Sequence, residues 1–267
     1  MITLLRRFRQ RLLSENKFSK YLVYAIGEII LVVIGILIAL QINNWNENRK
    51  YKQQEIIYLE NLKEDLEVQI QSQNIYIDFE EIIIQDCKDI ITHYETQKGF
   101  HNMDSIYQKL SDLSVRWTFV NANTTLLEMI NSGQINLIRN KELKKNLMEF
   151  NQIVQRFASN TLNNNTNLID NLIAHNIINI TNYANAGYSE QMKKQFQKYV
   201  SIQFSTINDT QLAEFSNQNL NDPKFKLQLI NNVAFRNGLA KIQKSGNESL
   251  KQNAIQLQNQ IISELKK

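Results

Sequence analysis

The sequence predicts an all-α protein: an N-terminal transmembrane helix followed by an elongated extracytoplasmic helical bundle. Three observations lead there. The 267 residues include one proline and seven glycines, so helix breakers are rare. The stretch YLVYAIGEIILVVIGILIALQINNW, Tyr21 to Trp45, is almost wholly apolar. Beyond it, apolar residues recur at three- and four-residue steps over long runs.

Residues 1–20 hold Arg6, Arg7, Arg9, Arg11, Lys17 and Lys20 against Glu15, a net +5. The whole chain sums to +4, so the remainder carries −1. A nucleic-acid-binding domain carries its basic charge on the folded part. Here that charge lies beside the apolar run, where it favours anionic headgroups. A lipid bilayer is therefore the expected partner, and no nucleic acid. Within this segment Leu5, Phe8 and Leu12 fall at helical spacing among four arginines. Thr3–Leu13 reads either as a helix lying on the inner leaflet or as a basic tail without fixed structure.

From Tyr21 to Leu40 the only charged residue is Glu28. Twenty residues at about 1.5 Å each cover about 30 Å, the thickness of the hydrocarbon core. Tyr21 and Tyr24 at one end and Trp45 at the other suit the two interfaces. The basic excess ahead of the run puts the N-terminus in the cytoplasm. A cleaved signal peptide is the rival reading, but Leu37 to Gln41 lacks a small-x-small cleavage pattern. The expected layout is a basic cytoplasmic or interfacial segment at 1–20, a transmembrane helix at 21–42 and a periplasmic helical domain at 43–267. The location expected is the inner membrane.

Positions seven apart nearly superpose on a helix. Tyr21, Glu28 and Gly35 share one stripe, joined by Tyr24 and Ala39. Gly35 and Ala39 form a small-xxx-small pair that lets helix backbones approach closely. A carboxylate at membrane depth is costly and faces protein more often than lipid. This face is expected to pack on another transmembrane helix, from a second copy or a different protein. The competing reading leaves Glu28 wetted, about 9–12 Å from the cytoplasmic end by helix rise.

After Trp45 the helix continues, with Leu59, Leu62, Leu66, Ile70, Ile77, Ile84 and Ile91 at heptad-like steps up to a break at Lys98–Asn102. Glu80, Glu81 and Asp86 on it read as a solvated face. Cys87 reads as a small buried hydrophobe. Asp104 can cap a short helix through Leu113, and Val115–Val120 reads as an extended connector. Asn123 or Thr124 can cap a helix through Ser132, with Gly133 in the left-handed conformation after it. Asn140 caps a long helix over 141–182. Its seam is Leu143, Leu147, Phe150, Val154, Phe157, Thr161, Asn164, Leu168, Leu172 and His175. The polar positions of that seam read as a register-setting layer or as a ligand pocket. Asn185–Gly187 is a turn, Ser189 caps a helix to about Ile202, and Phe204–Asn221 is the least regular stretch. Asp222-Pro223 starts the last helix, with a kink expected at Gly238 or Gly246 and a late seam of Leu250, Ala254, Leu257, Ile261 and Leu265.

GEIILVVIGILIALQINNWNENRK, Gly27 to Lys50, resembles the N-terminal signature of an uncharacterised family of single-pass membrane proteins of flavobacteria-like bacteria, a domain of unknown function. INSGQINLIRNKELKKNLMEF, Ile130 to Phe150, is similar to that family's central motif, with Phe150 in place of a tyrosine. The resemblance implies an inner-membrane anchor with a periplasmic helical domain. It implies no activity and carries over no site residues.

His93, His101 and His175 are scattered, and no Glu-x-x-His pair, P-loop or GxSxG is present. The sequence therefore predicts no catalytic residue, no metal site and no cofactor. The expected function is a non-enzymatic interaction or scaffold module of the cell envelope. The alternative is a ligand-sensing accessory subunit that signals through a membrane partner.

Overall fold

The computed structural model describes residues 18–101, 105–200, 205 and 207–267, with side-chain surroundings from Leu22 onward. Thr3–Leu13, the side chain of Tyr21 and the capping role expected of Asp104 lie outside the described residues. Every regular element among the described residues is helical. The chain divides into two compact units, Met1–Ile57 and Tyr58–Lys267.

In the first unit the described residues belong to helix α1, which spans Phe18–Gln97. Its first part is long and apolar enough, by length and composition, to cross a membrane, and none of that apolar window is buried within the chain.

The second unit holds the rest of α1 and all later elements. Lys98, at φ 55°, ends α1 in the left-handed region, and Gly99 N–H closes back on Tyr94 O at 3.1 Å. α2 spans Ile106–Asp112 and α3 Thr124–Asn131. Gly133 leaves α3 at φ 75°, where a side chain would be strained, and opens the 3₁₀ turn Gln134–Leu137. α4, Lys141–Asn163, starts where Asn140 Oδ1 accepts from Glu142 N and Leu143 N, both at 3.1 Å. It runs into a π-helical segment, Asn164–Ala174, and then α5, His175–Ile180. α6 is the single turn Tyr183–Ala186. α7, Glu190–Gln197, is capped by Ser189, and α8, Thr210–Asn221, by Asp209. α9, Pro223–Leu265, has proline in its first turn, with Asp222 accepting from Lys224 N at 2.7 Å.

Two hydrophobic clusters make the core. One gathers Phe79, Ile83, Ile90, Leu110, Ile173, Ile177, Leu229 and Val233. The other gathers Leu59, Leu62, Leu66, Leu126, Leu143, Leu147, Val154, Leu250, Leu257 and Ile261.

Six sequence expectations change. On α1 the buried seam shifts by one residue after Leu66, to Gln69, Gln73, Tyr76, Phe79, Ile83 and Ile90, leaving Ile70, Ile77, Ile84 and Ile91 half-buried. Glu80 and Asp86 are not on a solvated face: they are 4% and 0% exposed, and only Glu81 of the three faces out. Beyond Thr161 the inward positions are Asn165, Ile169, Ile173 and Ile177 rather than Asn164, Leu168, Leu172 and His175. The wider turn of the π segment, with its i→i+5 bonds, repeats more slowly than an α-helix. The stretch before Asn221 is a capped helix, α8, and α7 ends at Gln197 rather than near Ile202. α9 runs unbroken through both glycines. A Cβ at Gly246 would sit 2.7 Å from Phe157 Cε2, so glycine there serves close helix approach.

Candidate functional site

Of the predicted packing face, Glu28, Gly35 and Ala39 are exposed on α1 and Tyr24 is half-buried. Nothing lies within 4 Å of a Cβ built at Gly35. The flanking Ile29, Leu31, Val32, Ile36 and Leu37 are likewise exposed. The helix brings Glu28, Gly35 and Ala39 onto one stripe, as helical spacing requires. Among the described residues of the first unit, nothing packs against them.

The polar chemistry of the second unit lies inside it, around the connector after α2. Residues 115–120 are extended and alternate: Val115, Trp117 and Phe119 are half-buried, while Arg116, Thr118 and Val120 face out. Val115 and Trp117 pack on the first core cluster and Phe119 on the second, so the connector bridges the two. Trp117 meets Phe79 at 5.8 Å between ring centroids, and Phe119 meets Phe157 at 5.3 Å.

An extended segment without a neighbouring strand must still satisfy its backbone. Here side chains do so. Gln69 donates to Val120 O at 3.3 Å and accepts from Ala122 N at 3.1 Å. Asn165 donates to Trp117 O at 2.9 Å, and Arg236 to Val115 O at 3.4 Å. Asn123 stands at the start of α3 but does not cap it; its amide turns inward to Asn151 at 2.7 Å. The cap comes instead from α1, where Asp65 accepts from Thr125 N at 2.7 Å. The π segment is docked on the connector twice, through Asn165 and through Asp170, which takes Arg116 Nε at 2.6 and 2.8 Å. The amide of Gln73 and the hydroxyl of Tyr76 are buried without a protein hydrogen-bond partner among the described residues.

Arg236 is fully buried and bonds Glu80 at 3.1 Å. Burial pushes the Glu80 carboxyl up, and Arg236 opposes that. Burial also pushes the Cys87 thiol up to about 12, which keeps it an inert hydrophobe with no disulfide.

A second buried polar group joins α1 to α2. Asp86 and Asp112 are both fully buried and lie close enough for each carboxyl group to shift the titration of the other. Lys109 Nζ lies 3.4 Å from Asp86 Oδ1 and also pairs with Asp89. Asp112 Oδ1 accepts from Ser189 N at 3.2 Å. Neither Oδ2 has a hydrogen-bond partner among the described residues. Burial pushes Asp86 up to about 6 and, with Asp86 alongside, Asp112 up to about 8.

The histidines serve local contacts: His93 meets His101 O at 2.7 Å and His175 meets Asn179 at 3.0 Å. Among the described residues no group of His, Cys and carboxylates is arranged to hold a metal.

Residues 28–176 match the model of a family of unknown function, DUF6090. That is more than half of the chain. The chain belongs to this family. The matched region begins at Glu28 and ends just past the π segment, so it takes in the exposed stripe, the connector and both aspartates of the buried pair. Arg236 and the rest of α9 lie beyond it. No curated protein and no solved structure matches the chain.

Proposed function

We propose that this protein is a membrane-anchored, non-enzymatic interaction module of the cell envelope. Its helical bundle is periplasmic and its anchor packs on another transmembrane helix. One observation carries the reading. Over residues 22–42 every large apolar side chain but that of Tyr24 is exposed, and Glu28, Gly35 and Ala39 share a stripe that is exposed among the described residues. Lipid suits the apolar faces; a carboxylate and a small-xxx-small pair suit a second helix. The basic excess of residues 1–20 supports a cytoplasmic N-terminus.

The test is a photo-crosslinker at Gly35 in the native host, with mass spectrometry of what it captures. A second copy or one membrane protein, lost on Glu28→Gln or Gly35→Leu, is the expected result. Lipid adducts alone would overturn the packing face, and a mature chain beginning near Gln41 would overturn the anchor.

A further inference from the structure

Three elements meet at the Asp86–Asp112 pair. Asp86 stands on α1, Asp112 ends α2, and Ser189 N–H, donating to Asp112, opens α7. α7 is also tied to α1, by Gln195 Nε2 donating to Ile75 O at 3.5 Å. The donors around the pair are too few for two carboxylates. Ser189 supplies one to Asp112, and Lys109 reaches Asp86 at 3.4 Å while also pairing with Asp89. Both Oδ2 atoms are buried without a hydrogen-bond partner among the described residues, and two bare carboxylates side by side in a buried site repel. A single proton held between them turns repulsion into a hydrogen bond.

We propose that this pair is a proton-operated latch: with one shared proton it holds α2 and the start of α7 on α1, and loss of that proton releases them. The groups facing it are Asp89 and Cys87 on α1, Lys109 on α2, and Tyr188 ahead of α7, itself bonded to Tyr183. Lys109 alone among them is cationic, and it cannot neutralise Asp86, Asp89 and Asp112 together. Both aspartates titrate above their usual range, so the folded state holds protons that the unfolded chain has already lost. The pair's contribution to stability is therefore fully present below about pH 4, declines as pH rises, and is lost when the shared proton leaves near pH 8. The inference concerns the second unit alone and does not depend on the membrane reading.

Amide hydrogen exchange of the full chain in detergent micelles, run as a pH series corrected for intrinsic rates, tests it. Protection at 106–113 and 189–192 should fall about tenfold per pH unit for each proton released. Protection at 59–66 and 250–261 should hold. Asp112→Asn keeps an acceptor for Ser189 and gives Asp86 a donor, so the pH dependence should flatten to what the burial of Asp86 alone leaves. Asp86→Asn should do the same from the other side, and either variant suffices. A flat wild-type profile, an equal loss across the whole unit, or an unchanged slope in the asparagine variants would each overturn the latch.

Discussion

Two stretches of α1 follow opposite rules. Over residues 22–42 the apolar side chains face out and the single carboxylate, Glu28, is exposed among the described residues. Over 58–97 the same helix buries Gln69, Gln73, Glu80 and Asp86 among leucines and isoleucines. Polarity alone therefore does not decide which way a side chain turns. In the second stretch the interior contains backbone and charge that need partners: the connector at Val120 and Ala122, Arg236 on α9, and Asp112 on α2. In the first stretch no described residue makes such a demand.

The sharpest way to break this contrast is to remove one charge from each side. Arg236→Ala leaves Glu80 buried and unpaired and Val115 O without its donor. It should cost about 3–5 kcal/mol in denaturant unfolding of the full chain in micelles, followed by circular dichroism. Glu28→Ala should change the same quantity by less than about 0.5 kcal/mol. Equal losses would mean that the two stretches do not differ as described. A smaller effect tests close packing in the second unit. Gly246→Ala drives a methyl group into Phe157 and should cost about 1–3 kcal/mol, part of it recovered by Phe157→Leu in the same chain. The smallest change is expected at the surface. Arg116→Ala removes the ion pair to Asp170, whose partners are 42% and 36% exposed. The loss should be at most about 1 kcal/mol by thermal unfolding and should shrink with added salt.

Much of the fold was legible because its signals are local. Asn140, Ser189 and Asp222 cap the helices they precede, and Gly133 takes the left-handed turn. The seams Leu143–Val154 and Leu250–Ile261 lie where apolar periodicity puts them. The buried polar residues were not legible, because periodicity assigns such residues to the surface and their partners are far along the chain. Glu80 and Arg236 are 156 residues apart, and Gln69 and Val120 are 51 apart. α8 was missed for a different reason: it buries only Ser216 and Leu220 while Leu212 and Phe215 face out, so it has no apolar stripe turned inward. Of the candidate sites, the stripe of Glu28, Gly35 and Ala39 was readable from spacing. The Asp86–Asp112 pair was not, since α1 and α2 come together only in the folded unit.

The inward residues Thr161, Asn165, Ile169, Ile173 and Ile177 fall at every fourth position. Sixteen residues at about 100° each would overshoot four turns by about 160° in an α-helix. The π segment absorbs that overshoot, so chain length and number of turns are uncoupled there. A residue deleted within 164–174 can be made good by winding the segment tighter, with Thr161 and Ile177 both kept facing the core. Elsewhere in the same helix a deletion turns everything after it by about 100°. This stretch is where the protein can change length without changing its architecture.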